Sequence, residues 1–417
     1  MARVVYTALL LLLSPFLLWR MWGHTRDGEE PMRLREVVGL AGRPVRADIW
    51  VHAASVGEVL AAEPLIRALN PERHRILVTT TTATGAALLR RRFGEAVSHR
   101  YLPLDLPWLQ RRFQRAVAPR ALVIMETELW PNLLARAAAD GLAVFLANAR
   151  LSQRSAARYA RFPALVRPAL RALTHIACRD ERDRERFLAL GAAPEAVVVN
   201  GNIKFDIGVD DADHEAVAGL RVASGGRPVI LLASTHADEE AQLLPGLVRL
   251  RERVPELLVV LAPRHPDRVP EVSALLREAG ESFALRTTGA PGPRDRWWVV
   301  DTLGELKRFY GLADVAFIGG SLVPVGGHNP LEGVVWGCPL VTGPHVHNFE
   351  DMMALLRESR LLLQAGEPDE VLAVLTPVLQ WSSSEREDYR GRCRQFMRHH
   401  QGATARLSGK IETAITE

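Results

Sequence analysis

Residues 49–54 read IWVHAA, and Ser55-Val56-Gly57-Glu58 then turn that apolar run into an amphipathic helical pattern over residues 59–69. A buried strand that hands over to a helix is the opening of a βαβ unit. Working outward, RILVTT (75–80), ALVIM (121–125), AVFLAN (143–148), THIAC (174–178) and AVVVN (196–200) repeat the run, with amphipathic stretches such as Pro131–Asp140 between them. Strands that are apolar throughout are covered on both faces, so the reading is a parallel sheet between helical layers. The pattern restarts at PVILLAS (228–234) and continues through LLVVLAP (257–263), WWVVD (297–301) and DVAFIGG (314–320). Between the halves, GNIKFDIGVDDAD (201–213) breaks the periodicity and reads as an interdomain linker. Two such α/β halves predict a cleft between them, with ligands at the carboxyl ends of the strands. The final stretch, from Ser382, reads as helical and basic.

The bulk composition narrows the partners. The 417 residues are 48% hydrophobic and 24% charged, the ordinary balance of a folded protein. A net charge of +4 favours anionic partners such as phosphates or an acidic lipid surface, and is too small to point to nucleic acid. Of 52 basic residues only Lys204, Lys307 and Lys410 are lysines. The three cysteines lack metal-ligand spacing, which argues against a zinc site or a disulfide framework and for a reducing compartment.

Val4–Trp19 is an uncharged run of 16 residues. As a helix it is ~24 Å long, short of a ~30 Å hydrocarbon core. Arg3 precedes it and Arg20, Arg26, Arg33 and Arg35 follow, with Trp19 and Trp22 suited to the interface. The expectation is an N-terminal membrane anchor over residues 1–22 at the inner membrane, with everything after it on the cytoplasmic side. No small-x-small cleavage site follows it, against a removable signal peptide. Pro15 and the short length leave spanning and embedding both open.

Several motifs fall at strand ends. In HAASVGE (52–58), Gly57 suits a tight turn and Glu58 stands at a helix N-terminus whose dipole keeps a carboxylate ionised. Glu58 reads either as dipole complementation alone or as a general base facing the cleft. In ETELWPN (126–132), Glu126 and Glu128 suit gripping hydroxyls or balancing a cation, or simply opening a helix. Arg264, in PRHP (263–266), offers a donor fork suited to phosphate, or is a surface arginine in a turn. Gly319-Gly320-Ser321-Leu322 and GGHNPLE (326–332) allow backbone N–H groups to approach a ligand, with Pro330 at a first helical turn and Glu332 placed for ribose hydroxyls. This spacing is not the dinucleotide fingerprint. Asp211-Ala212-Asp213 matches a metal-binding pattern but lies in the linker, and is read as solvated acids.

WVHAASVGE, METELWP, NARLS, GNIKFD, LAPRHPDR, DTLGEL and GGHNPLE occur in this order over nearly the whole chain. Together they closely resemble the 3-deoxy-D-manno-octulosonic acid (Kdo) transferases of Gram-negative bacteria. The resemblance implies an α/β fold of GT-B type, two Rossmann-like domains facing across a cleft, here 36–205 for the acceptor and 206–417, with its C-terminal helix, for the nucleotide sugar. It implies inverting transfer of Kdo from CMP-Kdo to a lipid A precursor. A monophosphate leaving group develops less charge than a diphosphate, which Arg264, Lys204 and a helix N-terminus suffice to carry, so neither a metal nor a cofactor is expected. By the same resemblance Glu58 is the proton acceptor, and Glu128 and Lys204 stabilise the transition state. CMP contacts fall on Pro263, Arg264, His265, Leu303, Gly304, Glu305, Asn329, Pro330, Leu331 and Glu332. Rival readings are a UDP-sugar transferase of the same fold, a UDP-sugar epimerase, and a non-catalytic membrane scaffold.

Overall fold

The computed structural model of the protein describes residues 1–23, 34–39 and 45–416. Arg26 and Arg33, and the side chains of Arg20 and Trp22, lie outside the described residues. The chain forms two compact units, the first from Met1–Asp206 with His400–Glu417, the second from Ile207–His399.

The first unit holds a seven-stranded, all-parallel sheet: β1 (Ile49–His52), β2 (Ile76–Thr80), β3 (Ser98–Tyr101), β4 (Ala121–Met125), β5 (Ala143–Ala149), β6 (His175–Cys178) and β7 (Val197–Val199). The order is β3-β2-β1-β4-β5-β6-β7. Alternation along each strand feeds two cores. Ile49, Val51, Val123 and Met125 pack on one face, while Trp50, Leu122 and Ile124 pack on the other. Each such side chain contributes about 1.5–3 kcal/mol on burial. The Trp50 indole N–H is satisfied inside by Thr79 Oγ1 at 2.8 Å.

The second unit repeats the plan with β8 (Val229–Thr235), β9 (Leu258–Pro263), β10 (Phe283–Leu285), β11 (Trp297–Val299), β12 (Val315–Ile318), β13 (Leu340–Thr342) and β14 (Leu362–Gln364), ordered β10-β11-β9-β8-β12-β13-β14. Strand order reverses between β1 and β4 in one sheet and between β8 and β12 in the other. At such switch points the flanking loops diverge and leave a crevice at the carboxyl edge.

Four strands escape the sequence reading. β3 and β14 are edge strands with exposed residues, and β10 is a half-buried edge of three residues. β13 is buried but has only three residues. None is long enough to show a period. The linker reading changes as well. Residues 203–205 are a 3₁₀ turn, and Asp211–Ala223 is a helix capped by the Asp210 carboxylate. Asp213 is buried and held by Lys307 and by Arg308 Nε at 3.2 Å, so it is not a solvated acid. That ion pair also accounts for Lys307.

The C-terminal helix Ala403–Thr416, expected in the second domain, belongs to the first unit. Its stripe Ala403, Leu407, Ile411 and Ile415 completes the core under Val59, Ala62 and Ile66. Asp206 caps its start, accepting the N–H groups of Gly402 and Thr404 at 2.6 and 2.5 Å. The sequence reading of this stretch as helical and basic does not name the surface its apolar stripe covers.

Helix Ala2–Gly23 packs on helices Pro131–Ala139 and Pro163–Arg171, where Asn132 Nδ2 donates to Thr7 Oγ1 at 3.0 Å. It leaves Val4, Val5, Leu9, Leu12, Leu13, Phe16 and Trp19 exposed. Among the described residues, no helix is long and apolar enough to cross a membrane.

Candidate functional site

In the first unit, both strands flanking the switch point deliver acids. Helix Val56–Ala68 follows β1 after Ser55, and Glu58 occupies its first turn. Gly57 is helical and makes no turn, contrary to the sequence reading. A Cβ there would meet nothing closer than Ser55 Oγ at 3.9 Å, so the space beside Glu58 is open. Glu58 Oε2 accepts the Ala54 N–H at 2.8 Å and Oε1 accepts the Ser55 hydroxyl at 3.2 Å. The helix end was expected to keep this carboxyl ionised. Instead burial, reinforced by the charges of Glu128 and Glu126, pushes its pKa up to about 7 against the Ala54 and Ser55 bonds. Desolvation outweighs a helix-end effect of only about 0.3–1 kcal/mol.

The loop after β4 carries Glu126 in a left-handed conformation (φ 55°), with its N–H bound to the Ala147 carbonyl at 2.9 Å. Glu128 is half-buried, and burial and the neighbouring Glu126 raise its pKa. Lys204, on the 3₁₀ turn, lies in the field of Glu126. Crowding by protein lowers its pKa, with Arg179 and Arg150 pushing the same way, while Glu126 opposes them. The side chain reaches solvent, which limits what desolvation does. The turn is pinned from β5, where the buried Asn148 accepts the Ile203 N–H at 3.2 Å. Glu58 lies in the field of Glu128 and Glu126, and Lys204 in that of Glu126, which is the charge common to all three. Asn148 was missed; its signal was the NARLS motif at a strand end.

In the second unit, β9 ends at Pro263 and delivers Arg264 and His265, both exposed, into a loop whose Arg264 N–H is held by the Thr235 carbonyl at 2.9 Å. Arg268 braces this loop with a bidentate pair to buried Glu240 at 2.8 and 3.1 Å. Leu303 is exposed and Gly304 takes a φ of 84°. Glu305 accepts Arg286 Nη2 at 3.0 Å and the Thr302 hydroxyl at 2.5 Å, and borders a cavity of about 320 Å³ with Arg286, Trp298 and Arg308.

The glycine loop behaves differently from its sequence reading. The N–H groups of Gly320, Ser321 and Leu322 all donate to the fully buried Glu239 carboxylate, at 2.7, 2.9 and 2.9 Å, and His236 N–H joins them at 2.9 Å. Gly326 and Gly327 donate to the Gly320 carbonyl. These donors serve the protein's own carboxylate and carbonyl rather than facing a ligand. Asn329 Oδ1 accepts the Leu331 N–H at 3.1 Å, Pro330 starts a helix of only six residues, and Leu331 is core. Glu332 lies in that helix's first turn. Sequence reasoning missed His236 and Glu239, the first residue after β8 and the first of the helix that follows; the strand end was their only signal.

The family model described as 3-deoxy-D-manno-octulosonic-acid transferase (kdotransferase) matches residues 31–207. The 3-deoxy-D-manno-octulosonic acid transferase of Haemophilus influenzae is 36% identical over 98% of this chain and 97% of its own length. That of Bordetella pertussis is 36% identical over 99% of both. A glycosyltransferase structure from Rickettsia africae superposes with a TM-score of 0.58 over 89% of this chain and 99% of that one, at 10% identity, a likeness of fold alone.

Proposed function

Because the chain belongs to the family of 3-deoxy-D-manno-octulosonic acid transferases, we propose that it moves Kdo from CMP-Kdo to a lipid A precursor, with inversion at the anomeric carbon. The observation that carries the chemistry is a buried carboxyl, Glu58, poised near neutrality at a switch point. It takes the proton of an acceptor hydroxyl as the oxygen attacks the anomeric carbon. Lys204 and Glu128 steady the charge that develops around it. Arg264 and His265 hold the nucleotide phosphate, and Glu332 the ribose. The test is mass spectrometry of lipid A precursor incubated with protein and CMP-Kdo, with a UDP-sugar as control. A product heavier by one Kdo or more is expected; transfer from the UDP-sugar instead would reject the donor.

Arg264→Ala should weaken CMP binding by about 10–100-fold, the worth of a charged phosphate contact. Unchanged affinity in a calorimetric titration would place the phosphate elsewhere.

Attachment to the cytoplasmic face of the inner membrane belongs to the same proposal. Helix Ala2–Gly23 turns Thr7 to the protein and an apolar face outward, which suits embedding in one leaflet. Leu12→Glu with Phe16→Glu leaves the Thr7 contact untouched and should release the protein from vesicles in a flotation assay. Undiminished flotation would exclude this face as the attachment.

A further inference from the structure

The second unit holds a group that the transfer chemistry above does not use. His236 follows β8 and His328 lies in the loop after β12, the two strands that flank the switch point. Their Nε2 atoms are 2.9 Å apart. The ring planes differ by only 4° and the centroids are 5.1 Å apart. Two nitrogens that close cannot belong to rings stacked face to face, so the rings meet edge to edge in one plane, and one Nε2–H donates to the other Nε2. His265 stands edge-on to His236 with centroids 5.7 Å apart, beside Arg264.

The scaffold is built to hold this pair. Glu239 binds the His236 N–H and the N–H groups of the glycine loop with the same carboxylate. Gly320, at φ 65°, leaves the pair uncovered, since a Cβ there would fall 3.1 Å from His328 Nε2 and 3.3 Å from His236 Cδ2. The charged and titratable groups around the pair are Glu239, from the helix after β8, and Arg264, His265 and Arg268, from the loop after β9. His347, in the loop after β13, lies against Gly326. Burial lowers both imidazoles, His328 to about 4; Arg264 adds to it at both, while Glu239 opposes it at His236 without reversing it, so the unliganded pair is neutral at neutral pH.

We infer that His236 and His328 are a shared-proton pair that takes up a proton when a nucleoside monophosphate binds beside Arg264. The inference rests on the reading of Arg264 and His265 as partners of the nucleotide phosphate. In the transfer, the acceptor O–H adds its oxygen to the anomeric carbon and gives its proton to Glu58. The bond from that carbon to the phosphate oxygen breaks, and its electron pair stays on the phosphate, whose charge goes from −1 to about −2. The proton held between the imidazoles, drawn from solvent on binding, offsets the added charge.

The test is calorimetric titration of the full-length protein with CMP at about pH 7 in buffers of different ionisation enthalpy, which reads proton uptake directly. Wild type should take up at least about half a proton per CMP, and its affinity should fall about three- to tenfold per pH unit above neutrality. Cytidine, which lacks the phosphate, should bring no uptake. His236→Asn and His328→Asn should each abolish uptake, whereas His265→Asn should bind more weakly and keep it. Binding of CMP to wild type without uptake would overturn the pair's role, and so would uptake that survives in both pair variants or disappears only with His265. Failure of CMP to bind wild type at all would instead remove the phosphate-site reading beneath it.

Discussion

Glu58→Gln is expected to lower turnover by about 10²–10⁴-fold while CMP affinity stays within about a factor of two. Glutamine keeps an oxygen for the Ala54 N–H and loses the base. In the wild type the carboxyl must be ionised to accept a proton, so kcat should rise with pH through a limb near 7, the value burial imposes. The variant should lack that limb. Stability should move the other way. The folded pKa of about 7 lies above the unfolded 4.5, so the folded state binds more protons between those values and wild-type stability falls as pH rises across that window. Above about pH 7 the cost is complete, up to about 3 kcal/mol. Glu58→Gln should therefore be the more stable protein at pH 8 and no more stable at pH 4. Near-normal turnover in the variant would remove Glu58 as the base.

Glu239→Ala should be among the most damaging substitutions in the second unit. The four backbone N–H groups that end on its carboxylate would be left without it. An unsatisfied buried donor costs about 1–3 kcal/mol, so a loss of about 4 kcal/mol or more is expected in urea unfolding. Glu239→Gln should lose less, keeping one acceptor oxygen while turning an amide against the other two donors. A midpoint within about 0.5 kcal/mol of wild type for Glu239→Ala would mean the loop finds other partners.

Glu239 also marks where sequence reasoning stops. IWVHAA and ALVIM disclose their strands because burial on both faces makes them apolar throughout. Strand ends in turn disclose where Glu58, Glu128 and Arg264 stand. What three dimensions add is competition for the same groups. The Gly319–Leu322 loop offers N–H donors in any reading, and only the fold reveals that a carboxylate about eighty positions earlier takes them. Likewise the ionisation of Glu58 is decided by its burial, reinforced by two acids nearly seventy residues away, and not by its own helix end. His236 and His328 are 92 positions apart and meet only because β8 and β12 are neighbours.

The return of the chain to the first unit has a consequence for how the protein is made. During synthesis residues 49–206 leave the ribosome with Val59, Ala62 and Ile66 still lacking the helix that carries Leu407 and Ile411. Unit 207–399 is one continuous stretch and can fold while that cover is still missing. The unit that begins first is therefore closed only after its neighbour has been made, when residues 400–417 follow it in the chain. A protein truncated after His399 should keep a protease-resistant second unit while its first unit is open to cleavage.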